Sequence, residues 1–329
     1  MAEAMDRTAA EQGKSRRIDL LDIARAFAIL AMASYHFAWD LSYFGFINVN
    51  VASEPAWHHY AQAIASSFLI LVGISLVLAH RRGFRLRPFL IRFGQIALSA
   101  AAITLVTYFV FPDAFIYFGI LHNIAVASVL GLAFVRLPVA LTVIAAAIAL
   151  ALPLAVSVPG DAGFAVWWTG LANWVRPAND FVPLFPWFGA VLGGIALGRI
   201  MVDRGWTQHL AAFVAKGRLG RGLVFAGRHS LIIYLIHQPL LFGLTDLAAM
   251  VIPPNEAAQR SAFVGSCVTS CKDMGGEAAF CEAHCGCVAG KLDSTDYWTK
   301  RFVSKEDQEV VAQSSASCAL ELQGDVESQ

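Results

Sequence analysis

Charge is what this chain has least of. Only 15% of its residues are Asp, Glu, Lys or Arg, while 57% are hydrophobic and the formal net charge is zero. A soluble chain carries nearer a quarter charged residues, so a soluble globular protein is excluded, and no nucleic-acid partner is expected. Cysteine is absent before Cys267, which excludes a cysteine acyl-enzyme anywhere in the apolar part. The first apolar run has no small-residue cleavage site near its end, so it reads as a retained helix rather than a signal peptide. Basic residues are missing from alternate loops: segments 40–56, 112–115 and 158–180 together hold only Arg176.

What is present is a series of apolar runs of membrane-spanning length, at about 18–39, 57–79, 89–111, 116–135, 139–157, 181–201 and 229–250. They predict an all-α integral membrane protein of about seven transmembrane helices. The remaining loops carry the basic residues: Arg7, Lys14, Arg16 and Arg17, then Arg81, Arg82, Arg85 and Arg87, then Arg136, then Arg199, Arg204, Lys216, Arg218, Arg221 and Arg228. Positive charge marks the cytoplasmic side. The N-terminus is therefore expected inside and, after seven crossings, the C-terminus outside. The chain divides into a cytoplasmic arm (1–17), a helical bundle (18–252) and an outer tail (253–329). The fifth run has no polar residue beyond Thr142 and reads as a lipid-facing packing helix. The sixth has a small-residue face, Gly189, Gly193, Gly194 and Gly198, suited to close helix contact. Aromatic residues crowd the outer loops, Trp39, Tyr43, Trp57 and Trp167 among them. They read as interface anchors or as a sugar-binding face.

The first run, Ile18 to Leu41, carries Asp19, Asp22, Arg25, His36 and Asp40. Ionisable groups in a spanning helix are costly and mark function. Arg25 and His36 lie three helical turns apart, about 16 Å along one face. Asp22 precedes Arg25 by three residues and Asp40 follows His36 by four, spacings at which helix side chains meet. Two readings stand. Either an Asp22–Arg25 ion pair and an Asp40–His36 pair form one functional stripe, or these groups sit in the two interfaces, with Arg25 snorkelling. His122 with Asn123, His237 with Gln238, and Asp180 before the sixth run are further candidates for a substrate-facing set; a helix N-cap is the simple role for Asp180. His80, at the inner end of the second run, is expected to have no part.

All six cysteines follow the last run. Cys267 and Cys271, and Cys281 and Cys285, are four apart, flanking Gly275 and Gly276. Such pairs suit a helical hairpin with Cys267 bonded to Cys285 and Cys271 to Cys281, in an oxidising compartment. A zinc site is the alternative, since spacing alone does not fix connectivity. After about Lys305 the sequence is polar and is expected to be loosely ordered.

The stretch RAFAILAMASYH, from Arg25 to His36, resembles the transmembrane acyltransferase superfamily. With SSFLILVGISL, FGILH, DFVPLFPWFGAVLGGIALGR and GRHSLIIYLIHQPLL in order, it more closely resembles bacterial relatives of heparan-alpha-glucosaminide N-acetyltransferase, over roughly residues 16–250. The resemblance implies a bacterial inner-membrane enzyme, and the charge bias together with the paired cysteines puts the added tail in the periplasm. It also implies transfer of an acyl group, acetyl first of all, from cytoplasmic acyl-CoA to a periplasmic or envelope glycan. No bound cofactor and no metal are expected. The catalytic expectation is His36 as base or acyl carrier, Asp40 orienting it, and Arg25, paired with Asp22, on the donor side. His122, Asn123, Asp180, His237 and Gln238 are expected around the substrate. Homo-oligomerisation is left open. Two other classes stay open: a b-type haem electron carrier using His36 and His122, and a non-catalytic envelope transporter or scaffold.

Overall fold

A computed structural model describes residues 17–52, 54–81, 83–252, 255–299 and 304–327. Arg7, Lys14 and Arg16 of the arm, and Arg82, lie outside the described residues. The all-helical expectation holds among them: there is no strand, only two isolated bridges, Phe118 with Phe181 and Val158 with Ala172. Besides short turns of helix at Gly160–Ala162, Phe164–Trp167 and Tyr297–Thr299, the helices are α1 Asp19–Tyr43, α2 Pro55–His80, α3 Leu86–Val110, α4 Ile120–Gly131, α5 Val139–Ala155, α6 Leu184–Asp203, α7 Trp206–Ala212, α8 Gly217–Arg228, α9 Ser230–Val251, α10 Glu256–Asp273, α11 Ala278–Leu292 and α12 Lys305–Glu327.

Five of these, α1, α2, α3, α6 and α9, are long and apolar enough to cross a membrane. α4 and α5 have 12 and 17 residues, about 18 and 26 Å of helix against a hydrocarbon core of about 30 Å. The fourth run is trimmed at both ends. Gly119 is extended immediately before α4, and residues 132–137 form turns ahead of Pro138.

The chain forms two compact units, Met1–Leu30 with Ala63–Leu235, and Ala31–Gln62 with Ile236–Gln329. In the first, the core centres on α6, where Val191, Leu192 and Ile195 are essentially sealed. Of the four glycines predicted to form a face on α6, Gly194 and Gly198 meet α2, Gly189 meets α5, and Gly193 faces nothing within 4 Å among the described residues. A Cβ on Gly194 would overlap the Ile70 carbonyl, and one on Gly73 would overlap that of Val191. Lipid tails are as apolar as leucine, so helices in a bilayer are held by such close contact more than by hydrophobic transfer. α5 packs against α6 through one stripe, Thr142, Ala146 and Ala149. Its Leu141, Ile144, Ile148 and Leu154 are exposed, as a lipid-facing helix requires.

The second unit contains the cysteines, all consumed in disulfides. Cys267–Cys285 and Cys271–Cys281 staple α10 to α11, and Cys287–Cys318 adds α12. No thiolate is left for the zinc alternative. The expectation of loose order after Lys305 is corrected, because α12 occupies that stretch. Its start is fixed by Ser304 and Asp307: the Ser304 N–H and hydroxyl donate to Asp307 Oδ2 at 2.8 Å, and Asp307 N–H donates to Ser304 Oγ at 3.1 Å. This is a reciprocal N-terminal cap. Cys318 and Lys291–Glu321, at 2.7 Å, hold the rest of α12 against α11. A small apolar core of Val288, Ala289, Leu292 and Trp298 forms beneath them.

Candidate functional site

In the first unit, the polar end of α1 builds an ion-pair cluster. Arg25 donates through Nη1 to Asp22 Oδ1, and through Nη2 to Ser75 Oγ of α2 at 2.7 Å. The expected Asp22–Arg25 pair is thus present, and Asp22 is only 3% exposed. Its second oxygen is not idle. Arg228 Nε, at the end of α8, donates to Asp22 Oδ2 at 3.3 Å, and Arg228 Nη2 donates to Asp19 Oδ1 at 3.2 Å. One buried carboxylate therefore serves two guanidinium groups from opposite parts of the sequence. α8 comes this close because residue 227 is glycine; a Cβ there would overlap the Asp22 carbonyl.

Beside this cluster lies a cavity of about 990 Å³. Arg17, Arg25, Arg87, Arg92 and Arg228 line it against a single carboxylate, Asp22. The rest of its lining is largely apolar, with Phe68, Leu71, Ile120, Leu121 and Leu235 beside Tyr234. Such a space suits a polyanion carrying an apolar arm, because guanidinium groups bind phosphates in a fixed planar fork. Ser75 and Arg228 were not singled out from sequence. Arg228 was counted only as loop charge, since its partners lie 206 and 209 residues away.

In the second unit, α1 and α9 bring two histidines together. His36 Nδ1 and His237 Nε2 are 2.7 Å apart, with rings nearly parallel at an interplanar angle of 11°. In a contact between two imidazole nitrogens one must donate and the other accept, so the pair holds His36 in one tautomer at a time. The residue after His237 repeats the contact one turn along: Gln238 Nε2 donates to the fully buried Asp40 at 2.8 Å. The expected Asp40–His36 pair is therefore corrected. Two adjacent residues of α9 face two residues of α1 that are four apart, so histidine meets histidine and carboxylate meets amide. Asp40 Oδ2 and Gln238 Oε1 are left buried without a hydrogen-bond partner among the described residues. Tyr35 lies beside His36, its ring 5.8 Å away by centroids. It also forms an aromatic group with Trp57 and Tyr60, at 6.2 and 6.5 Å.

His122, Asn123 and Asp180 form a different set, in the first unit. His122 Nδ1 accepts from Gly119 N–H at 3.2 Å, and its Nε2 meets Thr104 Oγ1 at 3.1 Å. The Thr104 hydroxyl donates to the Ile116 carbonyl, so His122 supplies the proton of that second contact. Asn123 Nδ2 donates to the Val182 and Pro183 carbonyls. Asp180 is a cap, but of α4: its Oδ2 accepts from Ile120 N–H at 3.0 Å. These groups tie the start of α4 to the segment entering α6. The haem reading needed His36 and His122 as a ligand pair, and each is bonded elsewhere. His80 is only 7% exposed, with Nδ1 donating to the Leu76 carbonyl.

Residues 17–239 match the family described as heparan-alpha-glucosaminide N-acetyltransferase, catalytic. The match includes Arg25, His36, Asp180 and His237 and ends before the cysteine-rich tail. No curated protein and no solved structure matches the chain.

Proposed function

We propose that this chain, which belongs to the heparan-alpha-glucosaminide N-acetyltransferase catalytic family, is a multi-pass membrane enzyme that moves an acetyl group from acyl-CoA to an envelope glycan. The observation that carries the reading is the arginine-lined cavity beside Asp22 and Arg25. Its five guanidinium groups suit the phosphates of a nucleotide thioester, and its apolar lining suits the pantetheine arm. Arg25, held by Asp22 and Ser75, is the donor-side residue. His36 is the base or the acyl carrier. As carrier, its free nitrogen attacks the thioester carbonyl, the thiolate leaves and takes up the imidazole proton, and an acyl-imidazole forms. An acceptor hydroxyl or amine then takes the acyl group, and His36 accepts the acceptor's proton. His237, rather than Asp40, orients His36; Asp40 and Gln238 brace the pair. Tyr35, Trp57 and Tyr60 support a sugar acceptor, since aromatic faces pack on the apolar side of pyranose rings. His122, Asn123 and Asp180 act behind the lining, as clamps.

The proposed topology has the N-terminus cytoplasmic, the tail periplasmic and the membrane that of a bacterial cell interior. Support for seven crossings comes from α6 in the first unit. Asp180, ahead of it, caps α4, and Arg199, near its end, donates to the carbonyls of Val135 and Leu137 at 2.8 and 2.9 Å. Residues 119–137 thus run alongside α6 through most of its length. Five crossings and seven leave the two termini on opposite sides alike.

The deciding experiment is label transfer from radioactive acetyl-CoA in membranes with and without this protein, followed by identification of the labelled product. Equal labelling in both membranes overturns the reading.

A further inference from the structure

A second, smaller cavity opens beside the arginine-lined one in the same unit. It has a volume of about 250 Å³ and shares Val72, Ser75, Pro88, Arg92, Ile96 and Ile124 with its neighbour. Its polar lining is His80, Arg85, Arg92, Ser75 and Ser128, and no carboxylate lines it. Arg85 and Arg92 form no ion pair among the described residues. The Ser128 hydroxyl likewise has no hydrogen-bond partner there. His80 is 93% removed from solvent, being 7% exposed, and it spends Nδ1–H on the Leu76 carbonyl. Its Nε2 has no protein partner among the described residues. Phe84 stacks on the ring at 5.3 Å and Phe89 meets it edge-on at 5.9 Å, fixing the imidazole plane. Arg85 stands at the N-cap of α3 and gives no side-chain cap. Of the first amides of that 25-residue helix, those of Leu86 and Arg87 stay free among the described residues, since Pro88 has none and Phe89 N–H donates to the Arg85 carbonyl; they leave some partial positive charge at this end of the helix.

We propose that this side pocket binds a phosphate monoester, namely the one carried on the ribose of the acyl donor. The inference rests on the acyl-CoA reading and deepens it. A terminal phosphate can enter a small side pocket, whereas a pyrophosphate must enter and leave again and belongs in the larger cavity. A monoester also presents three outer oxygens, enough for two guanidinium groups, the Ser128 hydroxyl and His80 together. His80 Nε2 accepts a hydrogen bond from the singly protonated phosphate, or donates one when the imidazole is charged. Far from being a bystander, His80 reads whether the donor bears this group.

The test is equilibrium binding of CoA and of 3′-dephospho-CoA to the purified, detergent-solubilised full chain. The wild type should bind CoA at least about tenfold more tightly, since removing the phosphate loses charge-assisted contacts to two guanidinium groups at once. His80→Gln and Arg85→Ala should each shrink that ratio toward one while leaving 3′-dephospho-CoA affinity within about twofold of wild type. Arg204→Ala, a charge removed away from both cavities, should behave as wild type. Equal wild-type affinity for the two nucleotides, or variants that weaken both alike, overturns the proposal. So does phosphatidate in the micelle raising the melting temperature of the wild type but not of the variants while the nucleotides bind alike, because the pocket would then serve a lipid phosphate. Discriminating binding without acyl transfer would sink the acyltransferase reading and leave this one standing; transfer from both donors with equal affinity would do the reverse.

Discussion

The helical bundle and the cysteine-rich tail solve the same problem with opposite means. In the long helices α3 and α5 many exposed side chains are apolar, as at Leu98, Phe109 and Leu154, while elsewhere in the bundle Asp22, Asp40 and Asn123 are buried. In α10 to α12 the charged pairs are exposed while Val288, Ala289 and Leu292 are buried, and three covalent bridges do what glycine contacts do in the bundle. On the proposed topology, which puts the bundle in lipid and the tail in water, the difference teaches what each solvent rewards. In lipid, a helix gains by close backbone approach and can retain buried polar groups for chemistry. In water, a piece of chain this short has too small a core to be stable unaided.

The sharpest way to break the comparison is to remove a buried polar group that we assign to chemistry. His36→Ala should cut acyl transfer by about 10²–10⁴-fold while the protein still inserts and melts near the wild-type temperature. Transfer at the wild-type rate would show that the buried histidine pair is structural, and the bundle would then resemble the tail. Next in size is reduction of the disulfides. Each bridge should contribute about 2–4 kcal/mol to the tail. Dithiothreitol should therefore open residues 255–327 to protease while leaving fragments of the bundle intact. A tail that resists protease equally when reduced would mean that packing alone holds it.

A smaller effect is expected at Arg25. Arg25→Ala leaves Asp22 with Arg228 alone, at an expected cost of about 1–3 kcal/mol in bundle stability, read as a lower melting temperature in detergent. Arg25→Lys should recover part of it, having the charge without the fork. An unchanged melting temperature in the alanine variant would place Arg25 at an interface, as a snorkelling residue. The smallest effect belongs to the tail's surface. Hydrogen bonds from Arg260, at 2.9 and 3.1 Å, hold the Asp293 carboxyl below its usual range, with help from Trp298. A depressed carboxylate stabilises the fold above its unfolded value, near pH 4. That contribution fades as pH falls through the lowered folded value. Asp293→Asn should remove this slight acid sensitivity from tail melting curves, and curves that keep it unchanged would assign it elsewhere.

Much of this was legible in the chain, in proportion to how local its cause is. The Asp22–Arg25 pair, two of the four α6 glycines (Gly194 and Gly198, against α2) and two disulfides all rest on short spacings, and all are present. The order of α12 was legible too, in Ser304 and Asp307, but polarity was read as disorder. Contacts set by distant parts of the sequence were not. Nothing near His36 announces that His237 will take the place expected for Asp40, and Arg228 gives no sign that it will share Asp22. The trimmed fourth run failed for another reason. Hydropathy over 116–135 counts apolar residues and does not register that Gly119 is extended or that the chain turns after Gly131.

Gly227 has a consequence for genetics. It has no functional group, takes no part in any proton or charge transfer, and would be passed over in a search for reactive side chains. Yet its α-carbon lies so near the Asp22 carbonyl that a single methyl would push α8 away and carry Arg228 with it. In an alanine scan, the most severe phenotype within α8 should therefore come from an addition rather than a deletion. Reversion should map to second-site changes that let α1 give way, not to any gain of charge.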